Sequence, residues 1–220
     1  MKMETAKEMI AKRTAKELAP YSIINLGIGV PTLVANYVDE SIYFMHTENG
    51  MLGVTSVEEE DIDPNLVNAG KLPVGESTNA SYFHSADSFA MIRGGHVDAA
   101  ILGALQVDSE GLVANWAIPG KNIVGVGGAM DLLTGAKKII VTMSHVSRDG
   151  SPKFVDKCTY PITSTRKADI IVTEKAVFKW KEDENKYELV DLMGDTTLEE
   201  VQENSTATFS VSEDVLKGVY

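Results

Sequence analysis

The chain has 220 residues, of which 44% are hydrophobic and 24% are charged. This balance is typical of a globular protein, and the length allows a sizeable core, so we expect a single domain over residues 1–220. Lys and Arg number 20 against 32 Asp and Glu, which gives a formal net charge of −12. Nucleic acids and anionic membranes attract basic surfaces, so the charge argues against either as a partner.

The single cysteine, Cys158, excludes an internal disulfide and is compatible with a reducing cytoplasm, where we expect the protein to be located. We expect Cys158 to be a structural thiol at a strand edge. The segment Met1–Leu18 is charged and amphipathic and lacks the apolar core of a signal peptide. No run of about 18 apolar residues exists, so we expect no membrane-spanning helix.

Hydrophobic spacing and helix-breaking residues predict the elements of the first half of the chain. A helix over Met3–Leu18 ends before Pro20, and a strand over Ser22–Leu26 follows it. The remaining predicted elements of this half are a helix through Thr32–Tyr37 that opens at Pro31, a buried strand Ser41–Met45, a helix Ser85–Arg93 capped by Ser85 or Asp87, and a central strand Val97–Val107.

The second half is predicted to contain mostly strands. A strand Leu112–Trp116 pairs with the central strand, and a short helix runs from near Ala129 to Gly135. The further predicted elements are strands Lys138–Met143, Ile170–Thr173, Val177–Trp180 and Tyr187–Leu192, a helix to about Glu203 with Thr196 and Glu199 as its capping box, and a last strand Ala207–Val211. Strands that alternate with short helices indicate an α/β sheet.

A carboxylate follows the strand Ser41–Met45, within the stretch Thr47–Gly53. Glu48 is flanked there by the amide of Asn49 and by Gly50, and α/β proteins often place their chemistry in such loops. Glu48 is therefore either an ordinary turn acid, since Asn-Gly is a common turn dipeptide, or a carboxylate placed to attack an acyl group.

Two further glycine clusters are candidates for backbone contact with a ligand. Gly27 and Gly29 follow the first strand, but Thr32 stands where a dinucleotide fingerprint needs its third glycine. Asn25, a polar residue in that strand, either bonds neighbouring backbone or donates to a ligand oxygen. The second cluster precedes the helix that starts near Ala129, and it either holds an anion or carbonyl oxygen or allows close strand packing. The residues concerned there are Gly127, Gly128, Ala129 and Met130.

Metal chemistry is not predicted, because the four histidines are far apart and form no His-x-x-x-His pair. The chain also lacks a Gly-x-Ser-x-Gly nucleophile elbow and a phosphate-binding loop. Phe83 and His84 precede the helix Ser85–Arg93, where they either shape an acyl pocket or have a structural role.

Six blocks of sequence, taken together and in order, resemble the B (β) subunit of family I coenzyme A transferases of the 3-oxoacid type. The resemblance extends over about residues 4–211, with one departure at Thr47, where the family usually has serine. The blocks are Asn25–Pro31, Glu48–Gly53, Met91–Asp98, Leu102–Val107, Ala114–Lys121 and Gly127–Leu132.

The resemblance implies an open, mixed and largely parallel α/β sheet flanked by helices, and a partner A subunit in an A2B2-type hetero-oligomer. It implies that Glu48 attacks an acyl-CoA thioester and passes through an anhydride to a glutamyl–CoA thioester, while Asn25 helps to stabilise the oxyanion. Coenzyme A is then a substrate, with no permanently bound cofactor or metal. The residues that it suggests for substrate binding are Gly27, Gly29, Asn49, Gly50, Gly127, Gly128, Ala129 and Met130.

The resemblance leaves the acids open. We expect exchange among short-chain acids such as acetoacetate, butyrate, acetate and succinate. The alternatives are a 3-oxoadipate-type transferase, an acyl-CoA hydrolase, or a non-catalytic homologue that binds acyl-CoA.

Overall fold

The computed structural model describes residues 5–121, 123 and 125–218. In this part of the chain the helices are α1 (Ala6–Ala15), α2 (Ser85–Arg93), α3 (Ala129–Gly135), α4 (Leu198–Glu203) and α5 (Glu213–Lys217), with 3-10 helices at Val30–Tyr37 and Glu59–Asp61. The strands are β1 (Ile23–Leu26), β2 (Phe44–Thr47), β3 (Met51–Thr55), β4 (Gly75–Tyr82), β5 (Ala99–Gly103), β6 (Gln106–Asp108), β7 (Val113–Ala114), β8 (Lys138–Thr142), β9 (Phe154–Val155), β10 (Ile170–Val172), β11 (Ala176–Lys181), β12 (Lys186–Leu192) and β13 (Phe209–Val211).

A ten-stranded sheet organises the fold, in the order β13-β12-β11-β10-β8-β5-β1-β2-β3-β4. Its centre, from β10 to β2, is parallel, and antiparallel pairs extend it on both sides. Strands β7, β6 and β9 form a second, three-stranded sheet. The predicted open, mixed and largely parallel sheet is therefore confirmed.

Apolar side chains cover both faces of the large sheet. One core contains Ile92 of α2 and Leu132 of α3, and the other contains Ile10 of α1 and Val34 of the first 3-10 helix. Strands such as β5 and β8 are buried almost throughout, which explains their continuous apolar sequences. No helix among the described residues is both long enough and apolar enough to traverse a bilayer.

The order of the parallel strands reverses direction at β1, which makes the carboxyl end of β1 a topological switch point. Strand β1 has β2 on one side and β5 on the other. The chain therefore first extends the sheet from β1 to one side, through β2, and later extends it to the other side, through β5. Ligands of open α/β sheets bind at the carboxyl ends of strands at such a point. Gly27 follows β1 there, and Glu48 follows β2.

The predicted central strand Val97–Val107 is wrong as one element. The chain leaves the large sheet after Gly103, and the N–H of Leu105 donates to the carbonyl of Ala114 at 2.9 Å, so β6 pairs with β7 instead. The residues on both sides of this break are buried, and hydropathy therefore gave no sign of it. The predicted pairing of the segment 112–116 with β6 is confirmed for β7.

The helix and strand boundaries correct several further predictions. Helix α2 is confirmed over Ser85–Arg93, but its cap is His84, whose Nδ1 accepts from the N–H of Ala86 at 3.1 Å. The capping box of α4 lies one residue later than predicted, at Thr197 and Glu200. Strand β2 begins only at Phe44, because Asp39 closes a turn over the preceding residues. The predicted start of the first helix, Met3, lies outside the described residues.

Cys158 lies outside any strand, so the predicted strand edge is wrong. Its N–H donates to Asp108 Oδ2 at 3.2 Å and its thiol to the carbonyl of Leu112 at 3.5 Å. Burial, with a smaller effect from Asp108, raises the pKa of the Cys158 thiol to about 12. The protonated, packed thiol supports the structural role that the sequence suggested.

Candidate active site

Glu48 lies in the turn that joins β2 to β3, directly after the last residue of β2. The two strands pair in antiparallel fashion, with Thr47 opposite Met51. The N–H of Gly50 donates to the carbonyl of Thr47 at 3.0 Å and closes the turn. Glu48 is partly buried, so its carboxylate is held at the surface of the fold instead of extending into bulk solvent.

Asn25 fixes one oxygen of Glu48. Asn25 is fully buried on β1, and its Nδ2 donates to Glu48 Oε2 at 3.1 Å. The same Nδ2 lies 3.1 Å from Nδ1 of His46, which is the neighbour of Asn25 in the parallel β1–β2 ladder. Asn25 and Glu48, which were predicted from separate segments of the sequence, are therefore joined by a hydrogen bond.

Gly128 lies against the opposite side of the Glu48 side chain. A β-carbon added at Gly128 would lie 3.3 Å from Glu48 Cγ, 3.4 Å from Glu48 Oε1 and 3.3 Å from the Phe89 ring. Any larger residue at this position would press on the carboxylate or on Phe89. Glu48 is thus enclosed between the amide of Asn25 and the backbone that precedes α3.

A cavity of about 510 Å³ opens over Glu48. Of the residues predicted from the sequence, it is lined by Gly27, Glu48, Gly127, Gly128 and Ala129. Its volume is within the range of small-molecule sites. The carboxyl ends of β1, β2 and β5 and the loop before α3 therefore converge on one cleft.

The other predicted binding residues lie outside the lining of this cavity. The side chain of Asn49 is exposed and donates to the carbonyl of Val67 at 2.8 Å. Gly29 is exposed at the start of the first 3-10 helix, and Met130 is 46% exposed on α3. Gly50 is buried beneath the Phe83 carbonyl. For these four residues the binding role stays a prediction.

Phe83 and His84 pack around the Glu48 turn and do not line the cavity. The Phe83 ring stacks on His46 with centroids 6.0 Å apart, and the Phe83 N–H donates to the carbonyl of Gly50 at 2.9 Å. His84 caps α2. Both residues have the structural role that the sequence left open.

His46 is a buried histidine next to Asn25. It is 3% exposed, and burial lowers the pKa of its imidazole from 6.5 to about 4. His46 is therefore neutral at pH 7, and Nε2 lies 2.9 Å from the hydroxyl of Ser88 on α2. Within the described residues, no cluster of three His, Cys, Asp or Glu side chains is arranged to hold a metal ion.

Three parts of the site were not predicted from the sequence. His46 was considered only as a metal ligand, although its position two residues before Glu48 was a usable signal. Ser88 gave no signal, because a serine within a helix is unremarkable. The segment 68–70 lines the cavity, and the N–H of Ala69 donates to the Thr47 hydroxyl at 2.9 Å. Its Asn-Ala-Gly sequence matches no binding motif and gave no signal.

The chain is thus an α/β protein in which a hydrogen-bonded glutamate lines a cavity at the carboxyl edge of the parallel strands. The family model described as coenzyme A transferase matches residues 7–204. The chain belongs to the coenzyme A transferase family.

Curated relatives support this assignment over nearly the whole chain. The beta subunit of acetate CoA-transferase from Haemophilus influenzae is 48% identical over 210 residues, which cover 95% of this chain and 93% of that protein. The B subunit of succinyl-CoA:3-ketoacid coenzyme A transferase from Helicobacter pylori is 47% identical over 206 residues, covering 93% and 99%. The predicted resemblance to the B subunit of this family and the predicted enzyme class are confirmed.

Solved structures share the fold. The apoenzyme of an acyl-CoA transferase from Escherichia coli O157:H7 matches with a TM-score of 0.77 at 20% identity, covering 98% of this chain and 43% of that chain. Glutaconate coenzyme A-transferase from Acidaminococcus fermentans matches with a TM-score of 0.71 at 20% identity, covering 97% and 92%.

Proposed function

We propose that this chain is the catalytic B subunit of a transferase that exchanges coenzyme A between short-chain carboxylic acids, with Glu48 as the nucleophile. The observation that carries the proposal is the asymmetric setting of the Glu48 carboxylate. Asn25 Nδ2 bonds Oε2 at 3.1 Å, while Oε1 has no hydrogen bond to the described residues and lies 3.4 Å from where a β-carbon at Gly128 would be, next to the cavity that both residues line. One oxygen is thus held and the other is available for attack.

In the first step, Oε1 of Glu48 attacks the thioester carbonyl of the donor acyl-CoA. The C–O bond forms as the C–S bond breaks, and the products are an acyl–glutamyl anhydride and free coenzyme A thiolate. A carboxylate nucleophile thereby divides a difficult exchange between two carboxylates into covalent steps with lower barriers.

In the second step, the thiolate attacks the glutamyl carbonyl carbon of the anhydride. The oxygen that becomes negatively charged in this addition is Oε2, which lies beside the N–H of Asn25. Collapse of the adduct releases the donor acid as a carboxylate and leaves a glutamyl–CoA thioester. One donor aimed at a developing oxyanion contributes about 3 kcal/mol to such a step. The acceptor carboxylate then reverses both steps.

The glycines leave room for the glutamyl–CoA adduct. Gly27, Gly127, Gly128 and Ala129 line the cavity over Glu48, and we propose that they contact the thioester portion of the substrate. Gly128 supports this role most directly, because a side chain there would occupy the space beside the Glu48 carboxylate.

The relatives suggest the substrates and the assembly. Their names specify acetate, succinyl-CoA and 3-ketoacids, so we propose acetate, succinate or acetoacetate among the acids exchanged. Those names also specify a beta or B subunit, which supports an A-subunit partner in an A2B2-type assembly. We further propose a single domain, a cytoplasmic location and no permanently bound cofactor.

Trapping of the covalent intermediate tests the proposal. The assembled enzyme is incubated with acetoacetyl-CoA alone, and the intact mass of this chain should increase by that of one coenzyme A less one water, because the thioester replaces a carboxylate oxygen. Borohydride then reduces the glutamyl thioester to an alcohol, and peptide mass analysis should locate it at Glu48. In Glu48→Gln both signals should disappear, whereas Glu58→Gln, a change beside the separate cavity near β4, should retain them. An adduct on another residue contradicts the proposal.

A further inference from the structure

We propose that His46 and Ser88 are positioning residues that fix the side-chain amide of Asn25 with its N–H groups, and not its oxygen, towards Glu48. Four side chains form a continuous chain from α2 to the nucleophile. Ser88 Oγ lies 2.9 Å from His46 Nε2, His46 Nδ1 lies 3.1 Å from Asn25 Nδ2, and Asn25 Nδ2 lies 3.1 Å from Glu48 Oε2. The catalytic part of this inference depends on the proposed function.

The donor and acceptor roles along this chain follow from its chemistry. An amide nitrogen has two hydrogens to donate and accepts none, and an ionised carboxylate only accepts. Asn25 Nδ2 therefore gives one hydrogen to Glu48 and the other to His46 Nδ1, which must be unprotonated. The remaining ring hydrogen lies on Nε2 and is donated to Ser88. The tautomer of His46 and the orientation of Asn25 thus determine each other.

No other hydrogen bond in the described part of the protein holds this amide in place. Asn25 Oδ1 is buried and has no hydrogen-bond partner there, so the two bonds of Nδ2 alone fix the side chain. A rotated amide would place Oδ1 against the Glu48 carboxylate, where both atoms are acceptors. If the hydrogen of His46 were on Nδ1, it would favour this rotated arrangement, because Nδ1 would then need an acceptor.

The surroundings of His46 preserve the required tautomer. The ring is 3% exposed, lies next to Asn25 in the β1–β2 ladder and is covered by the nearly parallel Phe83 ring. Burial also keeps the imidazole neutral, since it lowers the His46 pKa to about 4. A protonated ring would donate from both nitrogens and could not accept from Asn25.

The proposed role of His46 affects the chemical step of the reaction and not the binding of substrate. The oxyanion on Oε2 needs an N–H that is already directed at it, because reorganisation during the reaction reduces the benefit of a donor. Without His46, Asn25 keeps only its bond to Glu48 and its amide is less firmly oriented, so the rate of the chemical step falls while the cavity that binds the substrate is unchanged. A general structural role for His46 would instead affect stability without this selectivity.

His145 provides a matched control. It is also fully buried, and its Nδ1 and Nε2 lie 3.0 Å from the hydroxyls of Thr173 and Ser205. Its ring stacks on Phe178 with centroids 6.2 Å apart, and burial, with a smaller effect from Lys175, lowers its pKa to about 4. His145 differs from His46 mainly in having no link to Glu48.

The kinetic test compares variants at these two positions in the assembled enzyme. His46→Leu should lower kcat by about 10- to 100-fold with KM for acyl-CoA changed by less than about 3-fold, as expected for loss of an oriented donor. His46→Asn keeps an acceptor near the position of Nδ1 and should recover most of the rate. His145→Leu should lose comparable thermal stability and retain its kcat. A wild-type kcat in folded His46→Leu, or an equal kcat loss in His145→Leu, overturns the proposal.

A spectroscopic test is independent of activity and of the folding of the Leu variant. With ¹⁵N-labelled histidine, the wild-type spectrum should show His46 protonated at Nε2 only, and Ser88→Ala should shift the population towards the Nδ1–H form. An Nδ1–H tautomer in the wild type overturns the proposal. If instead the wild type has the Nε2–H form but gives no Glu48 adduct, the proposed function fails while the orientation of Asn25 stands.

Discussion

Gly50 and Phe83 meet through their backbones at the base of the Glu48 turn. A β-carbon on Gly50 would lie 2.2 Å from the carbonyl oxygen of Phe83, and Gly50 has φ of +128°, a conformation that other residues rarely adopt. The Phe83 N–H also donates to the carbonyl of Gly50. The turn that carries Glu48 is thus joined to the start of α2 by a contact that only glycine allows.

This contact predicts the effect of Gly50→Ala. The methyl group must displace the Phe83 backbone, so we expect a loss of more than about 2 kcal/mol in the free energy of unfolding and a fall in activity. Urea denaturation of the wild type and the variant measures the loss. Gly150→Ala is the control, because Gly150 also has positive φ (+83°) but nothing lies within 4 Å of an added β-carbon. Equal losses in the two variants would show that backbone strain alone is responsible.

Removal of the Asn25 amide should affect the chemical step. Asn25→Ala takes away the N–H that bonds Glu48 Oε2, and we expect kcat to fall by about 100- to 1000-fold. Because glutamyl–CoA formation involves the same oxyanion, the coenzyme A adduct should accumulate more slowly by a similar factor in rapid-quench mass measurements. Asn204→Ala, a remote change at the end of α4, serves as the control. Unchanged adduct formation in Asn25→Ala would exclude this role.

Crowding of Glu48 from the opposite side should also reduce the rate. The methyl group in Gly128→Ala would lie 3.3 Å from both Glu48 Cγ and the Phe89 ring, so we expect the carboxylate to be displaced and kcat/KM to fall by about 10-fold. Gly127→Ala meets no neighbouring atom within 4 Å and should lose less.

A double variant tests whether the crowding is the cause. Phe89→Leu makes room beside Gly128, so Gly128→Ala combined with Phe89→Leu should lose less activity than the two single changes predict together. Strict additivity of the two kcat/KM losses would argue that Gly128 acts through another contact.

Stability should decrease as the pH falls from about 6.5 towards 4. Burial is the main cause that lowers the pKa values of His46 and His145 to about 4, so in this range the unfolded chain binds protons that the folded protein does not. Each histidine contributes up to about 3 kcal/mol, and the loss is complete only below the folded pKa. Carboxylates with lowered pKa values, such as Asp98 beside Ile23 N–H and Lys137, add their loss at lower pH.

Urea denaturation between pH 7.5 and 4.5 measures this dependence. The slope of stability against pH should decrease in His145→Asn and decrease further in the double variant with His46→Asn. An unchanged slope in the double variant would mean that other groups take up the protons.

Much of the local structure was predictable because its causes are local. The boundaries of α2 and the helix from Ala129 to Gly135 follow from apolar spacing and glycine positions, and both are confirmed. The predicted central strand failed because of a partner that is distant in the sequence. The second half of the run Val97–Val107 pairs with β9, which comes much later in the sequence, as well as with the following strand β7, and it therefore leaves the large sheet.

The candidate site likewise combines features that the sequence predicts with features that depend on distant partners. The residue types that the chemistry requires could be read from the chain alone, namely an acid after a strand, an amide within another strand and glycines around both, and blocks of fixed order indicated the family. The fold was needed to show that Asn25 and His46 are neighbours in one ladder, that Ser88 reaches them from a helix, and that Gly128 lies against Glu48. The physical reason is that hydrogen bonds and close packing depend on distances of about 3 Å between atoms. Such distances between residues far apart in the chain are set by strand order and helix docking, to which the whole sequence contributes.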